Sequence, residues 1–233
     1  MSPGEMVRVE NVVKTYSKGG EEIRPLDGVD LSVETGEYVS LMGPSGSGKT
    51  TLLNLVAGID RPTSGKVRVA GEEIGSMSES KLSEWRTRSI GYIFQLYNLI
   101  PVLTAWENVE LPLLLRSLSK SDRKKHVETA LDAVDLLDRK DHYPRQLSGG
   151  QEQRVAIARA IVVDPKVIVA DEPTGDLDAT SGQEILNLLG ALRERFGKTL
   201  LMVTHDPKAA RHANRIVRLE KGIIAADGGG GDS

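Results

Sequence analysis

Apolar and polar positions follow different patterns along the chain, and together they predict an α/β fold. Apolar residues alternate with polar ones at Val7, Val9 and Val12, and again at Leu31 and Val33. This pattern predicts antiparallel strands joined by a turn at Lys18-Gly19-Gly20. Compact apolar runs instead suit strands buried within a sheet. Such runs occur at 38–42, 90–94, 167–170 and 199–203.

Helical patterns lie between these strands. The strand at 38–42 leads into a predicted helix at 51–57 that stops at Gly58. A later helix has Thr180 and Gln183 as candidate caps and ends at Gly197. Residues 96–164 are predicted to be mostly helical, with Ser121 as one cap and Thr104 and Glu107 as a capping box. Alternating strands and helices imply a parallel α/β core, with 96–164 inserted between two of its strands.

Composition narrows the function only a little. The 233 residues carry a formal net charge of −3 and show no strongly basic run, so we expect no nucleic-acid partner. There is no cysteine, which excludes disulfides, thiolate metal sites and a cysteine nucleophile. No apolar run approaches the roughly 20 residues that cross a bilayer, and the first residues lack a signal peptide's apolar region. We therefore expect a soluble chain, with any membrane role through a partner.

The segment GPSGSGKT, residues 43–50, matches the P-loop pattern G-x-x-x-x-G-K-[ST] between an apolar strand and a helix. Glycines in such a loop let backbone N–H groups close around phosphate oxygens, and the helix start attracts the same anion. Lys49 supplies a charge for the β- and γ-phosphates, and Thr50 a hydroxyl for Mg²⁺. The loop predicts binding and hydrolysis of ATP with magnesium.

Two carboxylates, Asp171 and Glu172, follow the apolar strand at 167–170. The carboxyl end of a parallel strand is where ligands bind in open α/β sheets. There Asp171 can hold Mg²⁺ and Glu172 can act as general base toward water. Without the P-loop, a solvated strand end would explain the pair equally well.

A second helix start, LSGGQ at 147–151, also favours an anion. Ser148 and Gln151 fit a capping box, which is an ordinary structural explanation. Gly149 and Gly150 in a first helical turn cost about 0.5–1 kcal/mol each relative to alanine. Their presence suggests that a ligand approaches the backbone closely, so ATP is expected to be held from two sides, by two chains.

These motifs, with Gln95 after a strand, PTGDLD after Glu172 and His205 after a further strand, occur in the order of the ATP-binding cassette (ABC) ATPase family. The chain resembles that family from Val7 to about Ala225. The resemblance implies a P-loop NTPase (RecA-like) α/β core with an antiparallel β edge and an inserted α-helical subdomain. The single domain would span 1–227, with the core at about 1–95 and 165–227 and the lobe at about 96–164. Residues 228–233 are predicted to be a flexible tail.

The resemblance also implies a role for each matching residue. Tyr16 would stack on adenine. The residues implied to bind ATP are Tyr16, Gly43, Pro44, Ser45, Gly46, Ser47, Gly48, Lys49, Thr50 and Thr51. Catalysis is implied for Glu172, His205, Lys49 and Gln95, and the Mg²⁺ contacts for Thr50, Gln95 and Asp171. Ser148, Gly149, Gly150 and Gln151 form the signature that contacts ATP across the dimer, and Asp178 is the D-loop aspartate.

A finer resemblance is to cassettes of lipoprotein release, macrolide export and cell division, although Asp176 stands where that group often has asparagine. It implies an ATP-dependent head-to-tail homodimer and a separate integral membrane permease with a large extracytoplasmic domain. The chain would then sit in the cytoplasm, peripheral to the inner face of the membrane. A mechanotransmission or regulatory ATPase that moves no cargo remains an alternative. Chromosome-maintenance cassettes are disfavoured because 95–147 is too short for their coiled coils.

Overall fold

The computed structural model describes residues 4–229, and its strands and helices alternate through most of the chain. The strands are β1 (Glu5–Lys18), β2 (Glu21–Glu34), β3 (Tyr38–Met42), β4 (Ser64–Val69), β5 (Glu72–Glu73), β6 (Ile90–Ile93), β7 (Val167–Asp171), β8 (Thr199–Val203), β9 (Arg215–Glu220) and β10 (Ile223–Gly229). The helices are α1 (Lys49–Val56), α2 (Glu79–Ser89), α3 (Ala105–Glu110), α4 (Lys120–Asp132), α5 (Gly149–Ile161), α6 (Ala179–Phe196) and α7 (Pro207–Ala210).

The larger sheet carries the parallel core. Its strand order is β10-β9-β3-β8-β7-β6, and every neighbouring pair is parallel except β10 with β9. The central strands β3, β7 and β8 are almost entirely buried, because helices and the second sheet cover both faces. The apolar runs at 38–42, 167–170 and 199–203 therefore gave correct strand predictions.

The antiparallel strands form a separate sheet with the order β2-β1-β4-β5. The predicted pairing of β1 with β2 is confirmed, and each of these strands has 14 residues. The buried face of this sheet packs on α1, so that Val7 and Val9 share one apolar cluster with Leu52 and Leu53. The helix that follows the P-loop therefore lies between the two sheets.

Three α-helices and three 3₁₀ turns lie between β6 and β7. The capping box of Thr104 and Glu107 is present at the start of α3. The prediction that Ser121 caps a helix is wrong, because α4 begins earlier and Ser119 accepts the N–H of Asp122 at 3.1 Å. Val127 and Leu131, from this helical segment, belong to a second apolar cluster, which also includes residues on one face of the parallel sheet.

Two further predictions need correction, and one helix was missed. Asp178, not Thr180, caps α6, because it directly precedes the helix and its carboxylate accepts the N–H groups of Thr180 and Ser181. Helix α2 was not predicted at all; only Leu82, Trp85 and Ser89 are buried along it, too few for a clear period. Gly228 and Gly229, predicted to be tail, pair with Ile216 and Arg215 in β10, while 230–233 lie outside the described residues.

Within residues 4–229, none of the helices combines the length and apolar character that a membrane span requires.

Candidate nucleotide-binding site

The loop between β3 and α1 leaves the first N–H groups of α1 free of any side-chain cap. Gly48 occupies the N-cap position with a φ of 102°, in the left-handed region. A Cβ on Gly48 would lie 2.2 Å from the carbonyl oxygen of Pro25, so a side chain there requires backbone movement. Uncapped N–H groups at the positive end of a helix attract anions. The local structure therefore favours phosphate at the start of α1.

Lys49 is the first residue of α1, and only 7% of it is exposed. Its ammonium group donates hydrogen bonds to the carbonyl oxygens of Gly43 at 2.8 Å and Pro44 at 2.9 Å. These bonds fold the side chain back across the loop. The positive charge thus lies inside the loop, where it can meet a phosphate chain.

Thr50 and Asp171 come together from α1 and the carboxyl end of β7. The Thr50 hydroxyl donates to Asp171 Oδ1 at 3.2 Å. Burial, helped by the charge of Glu172, raises the pKa of Asp171 and outweighs the Thr50 hydrogen bond and the charge of Lys49. A cation beside Asp171 would offset this burial. Hydroxyl and carboxylate oxygens are ligands that Mg²⁺ accepts.

The described residues contain no cluster of three or more acidic or histidine side chains suited to a metal ion. A cation at Thr50 and Asp171 therefore needs further ligands from phosphate and water. Mg²⁺ is commonly bound in this way, through one or two protein groups and the phosphates of a substrate. The donor set fits Mg²⁺ that arrives with a nucleotide.

Glu172 and His205 form a pair at the ends of β7 and β8. His205 Nδ1 lies 2.7 Å from Glu172 Oε2. Because the carboxylate accepts, Nδ1 carries the hydrogen in this pair, and Nε2 is the nitrogen left for a ligand. The side chain of His205 is 69% exposed, whereas that of Glu172 is 22% exposed. The pair can orient a water molecule and contact a phosphate.

A cavity of about 720 Å³ lies between the P-loop and the pair formed by Glu172 and His205. It is lined by all the predicted ATP-binding residues except Ser47, which is buried beneath the loop, and also by Glu172 and His205. Ile23 and Pro25, from β2, complete the lining and were not predicted. The volume is within the range of about 300–1,000 Å³ that is typical of ligand sites.

Tyr16 stands at the mouth of this cavity, 41% exposed and held by Asp60. Its hydroxyl donates to Asp60 Oδ2 at 2.6 Å, and Lys14 Nζ donates to Asp60 Oδ1 at 2.6 Å. The Lys14 ammonium also lies 4.7 Å from the centre of the Tyr16 ring. Burial and then the bonded carboxylate of Asp60 raise the pKa of Tyr16 to about 12. The ring is fixed in place and leaves a face for a base.

No sequence motif pointed to Asp60 as a site residue. It is 44 residues from Tyr16 and follows the end of α1. Burial raises the pKa of Asp60, but the hydrogen bonds from Lys14, Tyr16 and the Arg61 N–H outweigh it, so the pKa is lowered. The network therefore joins β1 to the segment after the phosphate-binding helix.

Gln95 lies outside the cavity lining, beside the turn that follows Glu172. A Cβ on Gly175 would be 3.3 Å from Gln95 Nε2 and 3.4 Å from the carbonyl oxygen of Glu172. In the described part of the chain, no hydrogen bond joins Gln95 to Thr50 or Asp171. The structure thus brings Gln95 to the edge of the site without a direct contact to the predicted Mg²⁺ residues.

The signature segment at the start of α5 does not line the cavity. Ser148 Oγ accepts the N–H of Gln151 at 3.3 Å, and Gln151 Oε1 accepts the N–H of Ser148 at 3.0 Å, so the predicted capping box is present. Both glycines have neighbours within the chain. A Cβ on Gly149 would lie 3.0 Å from the Tyr97 hydroxyl, and one on Gly150 3.3 Å from Ser181 Cβ. A close ligand is therefore not the only reason for glycine here.

Asp178, the predicted D-loop residue, is exposed and caps α6. It accepts the N–H groups of Thr180 and Ser181, each at 3.0 Å, and the Ser181 hydroxyl at 2.7 Å. The Ser181 side chain, followed by its backbone N–H, lowers the pKa of Asp178. Because Ser181 lies against Gly150, the starts of α5 and α6 are neighbours.

Comparison with known proteins decides the family. Residues 26–175 match the family model described as "ABC transporter". The chain belongs to this family. It is an ATPase cassette, which agrees with the P-loop, the carboxylates and the histidine gathered around one cavity.

Two curated relatives and one solved structure show how far the likeness extends. The chain is 42% identical over 222 residues to the lipoprotein-releasing system ATP-binding protein LolD of Chromohalobacter salexigens, covering 95% of this chain and 94% of LolD. It is 44% identical over 224 residues to the macrolide export ATP-binding/permease protein MacB of Hyphomonas neptunium, covering 96% of this chain and 35% of MacB. The dimeric, post-hydrolysis structure of the cassette MJ0796, a protein of Methanocaldococcus jannaschii, bound to ADP and Pi superimposes with a TM-score of 0.89, at 44% identity, over 98% of this chain and 100% of that one.

Proposed function

We propose that this cassette hydrolyses Mg-ATP as a head-to-tail homodimer and drives a separately encoded membrane permease. The observation that carries the proposal is one cavity shared by Lys49, Glu172 and His205, with Thr50 and Asp171 bonded at its side. A phosphate-binding loop, a carboxylate base and a histidine in one cavity are the parts that phosphoryl transfer to water needs.

Within one chain, each group takes a defined role. Tyr16 stacks on the adenine, and the free N–H groups of α1 and the ammonium group of Lys49 bind the phosphates. Thr50 and Asp171 hold Mg²⁺, which neutralises charge on the phosphate oxygens. Glu172 accepts a proton from the attacking water. His205, oriented through Nδ1, directs Nε2 to the γ-phosphate.

A second chain completes each site. The signature residues lie outside the cavity of their own chain, yet Ser148 stands at the positive end of a 13-residue helix. In a head-to-tail pair, Ser148, Gly149, Gly150 and Gln151 of one chain face the ATP bound by the other. Asp178, beside the signature, lies at the same junction. The relative MJ0796 is a dimer in its solved structure, which supports this arrangement.

A membrane partner is supported by exposed apolar side chains in the segment that follows Gln95. Leu96, Val102 and Leu115 are 66%, 77% and 75% exposed, and all three lie in the segment that follows Gln95. Large apolar side chains that form an exposed patch are typical of protein interfaces, and these three are candidates for such a patch. According to its name, MacB combines an ATP-binding part and a permease part in one protein. The permease, with a large extracytoplasmic domain, would hold this chain at the inner face of the membrane.

The first experiment replaces the proposed base by Glu172→Gln. Turnover should fall about 10²–10⁴-fold, because a general base is lost, while ATP still binds and the trapped pair is seen as a dimer by light scattering. Glu128→Gln, which changes a partly exposed glutamate of α4, is the matched control and should hydrolyse ATP like the wild type. A Glu172→Gln protein that stays monomeric with ATP contradicts the dimer.

The second experiment tests the partner. Membranes are incubated with ATP and tagged Glu172→Gln protein, and the captured subunits are identified by mass spectrometry. We expect an integral membrane permease with a large extracytoplasmic domain. Replacing Val102 and Leu115 by serine should abolish capture without lowering the ATP affinity of the isolated chain. Capture of soluble proteins alone contradicts the transporter role but not the ATPase.

A further inference from the structure

Gln153 is a fully buried polar side chain that the mechanism above does not use. It lies on α5, one turn after the signature glycines, and is 0% exposed. Its Nε2 donates a hydrogen bond to the carbonyl oxygen of Pro173 at 2.7 Å. Since that carbonyl can only accept, the orientation of the amide is fixed. The amide therefore joins the signature helix to the residue after Glu172.

The backbone of Glu172 has a conformation that needs such support. Its φ is 45°, in the left-handed region, and a proline follows it. A positive φ is costly for a residue with a side chain, so surrounding contacts have to maintain the conformation. The N–H of Glu172 donates to the Val203 carbonyl at 2.9 Å, and its carbonyl accepts the Gly175 N–H at 3.0 Å. The Gln153 bond to Pro173 is a third restraint on the same turn.

Packing alone does not account for glutamine at this position. Gln153 Oε1 is buried and has no hydrogen-bond donor among the described residues. An unpaired amide oxygen is unfavourable in the interior, so an apolar side chain of the same length would fill the space at lower cost. The benefit of glutamine therefore lies in the bond to Pro173.

We propose that Gln153 is a positioning residue for ATP hydrolysis, which acts through Pro173 to hold Glu172 against the bound nucleotide. The inference rests on the proposed role of Glu172 as general base. Because Gln153 and Ser148 belong to the same helix, the turn of Glu172 is tied to the signature segment of its own chain. The position of α5 against the partner's ATP thereby affects the base that serves this chain's own ATP.

The test compares Gln153→Met with Gln183→Met, a matched change of a glutamine on α6 that bonds Asn187 and His212 at the surface. Methionine keeps the length of the side chain and removes the donor. Turnover, KM for ATP and the melting temperature are measured for each variant. We expect kcat to fall about tenfold or more in Gln153→Met, since small displacements of reacting groups are costly. KM should change less than twofold, and Gln183→Met should match the wild type.

A double substitution separates positioning from general damage. If Gln153 acts through Glu172, adding Gln153→Met to Glu172→Gln should leave the residual rate unchanged, because the two effects are not additive. If Gln153→Met fails to fold, Gln153→Asn, too short to reach Pro173, replaces it in every assay.

Three results would overturn the inference: an unchanged kcat, a joint fall of kcat, ATP affinity and melting temperature, or a further fall in the double variant. Absence of turnover in the wild type would contradict the ATPase assignment instead.

Discussion

The starts of α1 and α5 are both glycine-rich and attractive to anions, but they are constructed in opposite ways. Gly48 precedes α1 without any side chain to cap it, so the first N–H groups remain available. Ser148 precedes α5 and closes a reciprocal capping box with Gln151. The α1 start lines a cavity together with groups of its own chain, whereas the α5 start does not. Similar sequence signals thus accompany one helix start that lines a cavity with groups of its own chain and one that lies outside that cavity.

The largest effect in this comparison is expected at α1. Lys49→Ala removes the buried ammonium group from the loop, and turnover should fall at least about 10²-fold, as with loss of a single charge-stabilising donor. ATP binding should weaken as well, because the same charge contacts the ground-state phosphates. Steady-state kinetics and titration with a fluorescent ATP analogue measure the two effects.

Lys198→Ala is the control for this change. Lys198 pairs with Asp164 at 2.5 Å and does not line the nucleotide cavity. The Lys198→Ala variant should retain wild-type turnover. Equal activity of Lys49→Ala and Lys198→Ala would remove the basis for distinguishing α1 as the phosphate site.

A smaller and different effect is expected at α5. Ser148→Ala removes the cap and should lower the free energy of unfolding by about 1 kcal/mol. The melting temperature should accordingly fall by about 2–4 °C. ATP binding to the single chain should persist, while ATP-dependent dimerisation and turnover should be reduced, because in the proposed dimer the hydroxyl faces the other chain's ATP. Light scattering and turnover assays measure these losses.

Ser119→Ala removes the equivalent cap of α4, where Ser119 Oγ accepts the Asp122 N–H at 3.1 Å. The loss of stability should be similar, but dimerisation and turnover should be unchanged. If both serine variants lost turnover to the same extent, the role of Ser148 would be only structural.

The smallest effect is expected at the adenine end of the cavity. Tyr16→Phe keeps the ring and removes the hydroxyl bonded to Asp60. Since the pKa of Tyr16 is raised from 10.0 to about 12, the folded state favours the neutral phenol. Its contribution to stability is complete below pH 10 and is lost as pH rises to about 12. The gap in free energy of unfolding between wild type and Tyr16→Phe should therefore narrow from pH 9 to pH 11; a constant gap would contradict the network.

Boundaries of elements show where sequence reasoning was sufficient. Strands β3 and β8 were predicted with the bounds that the structure has, because strands buried on both faces are mostly apolar. The caps of α4 and α6 were each misplaced by two residues, since several serine, threonine and aspartate side chains compete near a helix start. Helix α2 was missed because Leu82 and Trp85 are the only apolar side chains along it, too few for a clear helical period.

The sequence by itself determined the family, the order of the motifs and the chemical type of the residues around the phosphates. The residues of a P-loop are close together in the sequence. Its strand, glycines, lysine and helix therefore interact with near neighbours along the chain. Only the tertiary structure showed that Asp60 anchors Tyr16, that Gln153 reaches Pro173, and that the signature lies away from its own chain's cavity. These contacts join residues far apart in the chain. Such pairs depend on how the sheets and helices pack, and no local pattern of residue types encodes that packing.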